Sequence, residues 1–134
     1  MGPEFPLRLT LDSPLSLSED PKKVLGAMMN VVGDCRHSVE EGRQLLRIAS
    51  DDPKSVERLH DQLRDRHVRA AARRLLLTGR QGDRTTVMVN RQAAAAGVVA
   101  LCSAEEESAL GPMYLTLESK HLDSLIQWLT AYEG

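Results

Sequence analysis

Apolar and polar residues alternate strictly over "LRLTL" (7–11), which puts Leu7, Leu9 and Leu11 on one face of a half-buried strand. The period then changes. In "SEDPKKVLGAMMNVV" Asp20 can cap a helix and Pro21 can occupy its first turn, with Val24, Leu25, Met28, Met29 and Val32 on one side and Gly33 as the stop. "CRHSVEEG" (35–42) is polar and fits an edge strand with Val39 inward, and "RQLLRIAS" (43–50) reads as a second strand. "SDDPKSV" (50–56) repeats the acid–proline start of "SEDPKKV" (18–24), which is what two helix starts needing the same cap would give.

The strongest helical signal runs from Pro53 to Leu77. Val56, Leu59 and Leu63 form one apolar stripe, and Val68, Ala71, Ala72 and Leu75 a second, slightly out of phase, so a break is expected near Arg64–His67. Strands follow at "TTVMVN" (85–90), "GVVALCS" (97–103) and "MYLTLES" (113–119), with "AEEES" as an acidic loop and "LGP" (110–112) as a turn. Between the first two, "VNRQAAAAGVV" (89–99) reads as a tight crossover of at most one helical turn, because isolated short helices are marginal. Gly97 would supply the dihedral that restarts the strand. Leu122, Leu125, Ile126 and Leu129 define a last helix, with Trp128 bordering its core stripe. The order is β-α-β-β-α-α-β-β-β-α. The economical architecture is a single compact α+β domain, residues 6–134, with a mixed, mostly antiparallel sheet and helices on one face. "MGPEF" (1–5) reads as a vector-derived tail and is set aside.

Composition changes the picture in one respect. The 134 residues carry a net charge of −2, yet residues 53–91 hold ten basic and four acidic side chains, +6, leaving −8 on the rest. Nine of the ten are arginine, whose planar fork suits phosphate and carboxylate. Arg66, Arg69 and Arg73 fall at i, i+3, i+7 on the face away from Val68 and Ala72, a solvent-facing arginine row. With Arg74, Arg80, Arg84 and the polar rim Asn90, Arg91 and Gln92, they are the candidate RNA-binding residues: arginines for phosphate, Asn90 and Gln92 for sugar hydroxyls or base edges. "GRQG" (79–82) matches the GXXG loop of KH domains, but a strand follows it where KH needs a helix. The strands offer only Tyr114 for base stacking, which argues against an RRM.

Catalytic signatures are absent, and the chain reads as a non-enzyme. His37, His60, His67 and His121 are scattered, no metal or cofactor site is expected, and Cys35 and Cys102 read as reduced thiols of a cytoplasmic protein. Asp51–Asp52 and Glu105–Glu107 have simpler roles as a cap and a solvated loop. No apolar run reaches the roughly 18 residues of a membrane helix, so no membrane partner is expected.

"EDPKKVLGAMMNV", "AARRLLLTG", "VNRQAA", "GVVALC", "LGP" and the late "WL" occur in an order that resembles the small archaeal RNA-binding/exosome-subunit-like proteins, over residues 7–132. The resemblance implies a fold similar to the ribosomal protein that binds 5S rRNA. It also implies structured RNA as ligand, with exosome or ribosome-associated proteins as partners. Ala95 and Ala96 depart from it, standing where a bulkier residue is expected before the glycine. The alternative from the residues themselves is a protein-interaction module or homodimer without RNA contact, through exposed strand edges.

Overall fold

The computed structural model describes residues 3, 5–104 and 111–131. Alternation at the start of the chain becomes β1 (Arg8–Pro14), which buries Leu9, Leu11 and Ser13 and turns Arg8, Thr10 and Asp12 outward. Asp20 caps α1 (Pro21–Val32) by accepting from the Lys22 N–H at 3.0 Å. The helix buries Val24, Ala27, Met28, Val31 and Val32 at i, i+3, i+4, i+7, i+8. Gly33 closes it at φ 71°, its N–H reaching the Met29 carbonyl at 2.8 Å. The acid–proline device recurs at Asp52, which accepts from the Lys54 N–H at 3.0 Å, but there it opens a 3-10 turn, Pro53–Val56.

The chain continues through β2 (Ser38–Gly42), β3 (Leu45–Ser50), α2 (Glu57–Asp65), α3 (Arg69–Thr78), β4 (Arg80–Gln81), β5 (Arg84–Val89), α4 (Arg91–Ala95), β6 (Leu101–Cys102), β7 (Met113–Glu118) and α5 (Leu122–Thr130). The expected break falls between α2 and α3, where His67 takes a φ of 54° and the two apolar stripes change phase. Strands lie in the order β2-β3-β1-β7-β5-β4, with β6 also on β5, and every pairing is antiparallel. The first strand is thus central. Helices pack on one face, over a core that includes Leu9, Leu11, Ile48, Leu115 and Leu117 from the sheet and Met28, Leu59, Leu63, Leu76, Leu125 and Leu129 from the helices.

Four sequence expectations are corrected. Val39 stands beside Ile48 on the helix-facing side, yet it is 43% exposed, because β2 is the edge strand and lies beyond the helices. "GVVALCS" is a strand only at Leu101–Cys102. The alanine run is a true short helix, capped by the Asn90 side chain, which accepts from the Ala93 N–H at 2.9 Å, so the order gains α4. "GRQG" supplies a β-hairpin: Gly79 ends α3, Arg80–Gln81 form β4, and Gly82 turns at φ 63°. Gly79 is needed for another reason too, since a Cβ there would stand 2.1 Å from the Thr86 carbonyl oxygen. Phe5 packs against the core, its ring 5.7 Å from that of His121. The acidic loop Glu105–Glu107 lies outside the described residues.

Candidate nucleic-acid interface

Three of the seven candidate arginines, Arg66, Arg69 and Arg73, reach across to α5 or to the segment that follows α4. Arg66 Nη1 donates to the Val99 carbonyl at 2.9 Å, just beyond α4. Arg69 Nη1 donates to the Ala131 carbonyl at the end of α5. Arg73 Nη1 reaches Gln127 Oε1 at 2.9 Å and Thr130 Oγ1 at 3.3 Å in the last turn of that helix. Arg58, outside the candidate set, donates to the Asn30 carbonyl in the last turn of α1 and to the Gly97 carbonyl at 3.2 Å. A helix C-terminus carries unpaired carbonyls and the negative end of the dipole, which Arg58 meets at α1 and Arg69 at α5, while Arg73 lies at the same end of α5 through side-chain acceptors. At Arg69 and Arg73 the expected solvent-facing row is therefore a pair of ties to α5, while Arg66 stays exposed with one arm on the segment after α4.

Arg80 pairs with Asp123 at the start of α5 and donates to the Gly82 carbonyl at 3.0 Å. Arg91, expected to face phosphate, is 5% exposed and bonds Glu19, with burial pushing its guanidinium below the usual range. Asn90 is the α4 cap. Arg74 and Gln92 are exposed on the helical side. Only Arg84 of the nine lies on the other side of the sheet, 3.7 Å from Glu118.

That other side is where a broad polar surface forms, and among the described residues no helix covers it. The strand registers set it out in rows. Ser38, Ala49, Thr10, Thr116 and Thr86 stand side by side across β2, β3, β1, β7 and β5. Thr86 and Thr116 hydroxyls are 3.1 Å apart. Below them run Arg8, Glu118 and Arg84; above them Glu40, Arg47, Asp12, Tyr114 and Met88. Arg47 grips Asp12 with both arms of its fork, at 2.6 and 2.9 Å. Arg8 and the arginine just before β2, Arg36, were missed in the sequence. Arg8 could have been found, since the alternation that buries Leu7 and Leu9 sends it outward. Arg36 could not, because only the fold brings it to Arg8.

At the Arg8 end a shallow cavity of about 370 Å³ is lined by Arg8, Arg36, His37, Ser38, Ser50 and Asp51. Arg36 and Asp51 pair at 2.9 Å with side chains 74% and 76% exposed, a contact worth little to stability. The thiol of Cys35 is pushed up by burial, and the His37 Nδ1 contacts the Cys35 carbonyl at 2.7 Å, not its sulfur, so the two do not form a nucleophile–base pair. The described residues contain no group of three metal-ligating side chains. His60 stacks on Trp128 at 4.4 Å.

Asp52 accepts the Arg36 N–H at 3.0 Å and that of Lys54, and these two donors hold its carboxyl below the usual range. A depressed folded value means stability present above the unfolded value, roughly 3.9, and lost as pH falls through the folded one. Asp52→Asn keeps an acceptor but does not titrate. Its melting temperature should fall less steeply than the wild type's as pH drops below about 4. Parallel curves would remove Asp52 from the acid response.

No family model matches the chain. It is 36% identical over 123 residues to a UPF0201 protein of Metallosphaera sedula, covering 91% of this chain and 86% of that one. It is 35% identical over 125 residues to a UPF0201 protein of Sulfolobus acidocaldarius, covering 92% and 86%. The fold matches a UPF0201 crystal structure with a TM-score of 0.77 at 22% identity, over 95% of this chain and 97% of that one. The UPF0201 protein of Methanococcus jannaschii gives 0.75 at 22%, over 92% and 98%.

Proposed function

The chain belongs to the archaeal UPF0201 family, and from that premise we propose that it is a non-catalytic RNA-binding module whose ligand lies on the uncovered face of its sheet. One observation carries the reading: a row of hydroxyls, Thr10, Thr116 and Thr86, is flanked by Arg8 and Arg84 on a face that no described helix covers. Guanidinium groups take phosphate, and threonine hydroxyls can exchange hydrogen bonds with 2′-hydroxyls. The working surface thus moves from the arginine helices to the far side of the sheet. Structured RNA is the ligand, and the resemblance in the sequence adds a setting accessory to archaeal RNA processing, with exosome or ribosome-associated partners.

Binding should weaken with salt by a log–log slope of roughly 0.7 to 0.9 per phosphate neutralised. Arg8→Ala with Arg84→Ala should lower that slope by about 1.5 and weaken affinity at least tenfold, while Arg74→Ala, on the helical side, changes little. Filter binding of a structured RNA at several salt concentrations measures both. Unchanged affinity in the double variant, or no binding at micromolar protein in low salt, sinks the proposal.

A further inference from the structure

We propose that this sheet face also closes on a second copy of itself, as a two-fold dimer. The reason is the order of charges on it. The lower row extends past β1: Asp51 lies two residues beyond Ala49 and Arg36 two residues before Ser38. Both line the shallow cavity together with Arg8, Ser38 and Ala49. Across β2, β3 and β1 the lower row therefore reads Arg36, Asp51, Arg8, plus–minus–plus. Across the same strands the upper row reads Glu40, Arg47, Asp12, minus–plus–minus.

A two-fold axis along the middle row turns each strand antiparallel onto its own copy and lays the lower row on the upper one. Arg36 then meets the second copy's Glu40, Asp51 the second copy's Arg47, and Arg8 the second copy's Asp12. Because the contact is isologous, each pairing occurs twice. On β2, β3 and β1 opposite signs come together, where a mismatch would cost several kcal/mol, while on β7 and β5 the same axis sets Glu118 opposite Tyr114 and Arg84 opposite Met88. The axis row itself, Ser38, Ala49, Thr10 and Thr116, is short-chained. It allows the roughly 10 Å face-to-face approach of stacked, aligned sheets. Five strands by five residues is a patch of roughly 20 by 17 Å on each copy, below the standard size of a specific interface, so the dimer is weak, salt-sensitive and micromolar or weaker.

The inference does not rest on the RNA reading, and it is measured without RNA. Sedimentation equilibrium from about 1 to 200 µM at low salt should show a monomer–dimer equilibrium. Arg36→Glu alone and Glu40→Arg alone each set like charges opposite, and should raise the dimer Kd at least tenfold. The Arg36→Glu/Glu40→Arg double variant restores the pairing across the axis and should return the Kd to within about threefold of wild type. Both positions are exposed, so a thermal melt verifies that each variant folds. A wild-type chain monomeric throughout overturns the dimer, and if it still binds RNA the face belongs to nucleic acid alone. A double variant no better than the singles overturns the two-fold register.

Discussion

Arg91→Ala should destabilise the domain by about 3 kcal/mol, read as a lower denaturant midpoint in an equilibrium unfolding curve. Arg91 is the first residue of α4, and its guanidinium lies under the surface with Glu19, from the loop that leads into α1, as its ion-pair partner. The two short segments are held together at the other end as well, where Asn30 Nδ2 of α1 donates to the Ala94 carbonyl at 2.9 Å. Truncation to alanine leaves a void where a long side chain stood and strips Glu19, itself only 19% exposed, of its countercharge. Removing the charge on both sides is a different perturbation. Glu19→Ala with Arg91→Met fills much of the space and leaves no uncompensated ion, so it should cost less than Arg91→Ala alone. A wild-type midpoint for Arg91→Ala would mean the guanidinium lies outside the packed layer.

Arg69→Glu with Arg73→Glu is the second large effect. An exposed arginine row would tolerate the pair and lose only RNA affinity. The ties to α5 forecast a loss of stability instead. The two guanidiniums bond the Ala131 carbonyl and the Gln127 and Thr130 side chains, and each carboxylate would face the negative end of that helix. Hydrogen bonds from charged donors are worth about 1.5 to 3 kcal/mol each, less where water reaches them, so a total near 3 kcal/mol is expected. For a domain of this size that is a fall of roughly 10 °C in melting temperature by circular dichroism. A fully stable variant that has lost RNA binding would return the interface to the helices.

Local chemistry was legible in the sequence, and distant destinations were not. "LRLTL" declared its faces by alternation. Asp20–Pro21 and Asp52–Pro53 declared their caps because a cap acts within two residues. The change of stripe phase near His67 declared the break. What failed was the fate of the arginines. Helical period says which face is turned from a helix's own apolar stripe. It does not say which acceptors lie within reach of a six-bond side chain, and the Ala131 carbonyl and Gln127 Oε1 are 62 and 54 residues away from their arginines. Val39 failed for a related reason: alternation gives a side, but only the span of the helix layer decides whether that side is covered. The uncovered face was half legible, since Arg8, Thr10 and Thr116 could be assigned to an outward side, while the rows they form depend on strand order.

The central place of β1 has a consequence for how the chain reaches this structure. Its two neighbours are β3, whose Ser50 pairs with Leu9 across 41 residues and Leu45 with Pro14 across 31, and β7, whose Glu118 pairs with Arg8 across 110 residues. Half of the first strand's ladder therefore waits until Met113–Glu118 has left the ribosome. The partial sheet of β1, β2 and β3 must survive with one long edge of β1 open. Closing so distant a pair orders most of the backbone before the hydrogen bonds form, which places folding in the slow, high-contact-order regime. Single-exponential refolding in that range, with the β1–β7 pair formed late, is the kinetic signature of a sheet whose middle is assembled from strands more than 100 residues apart.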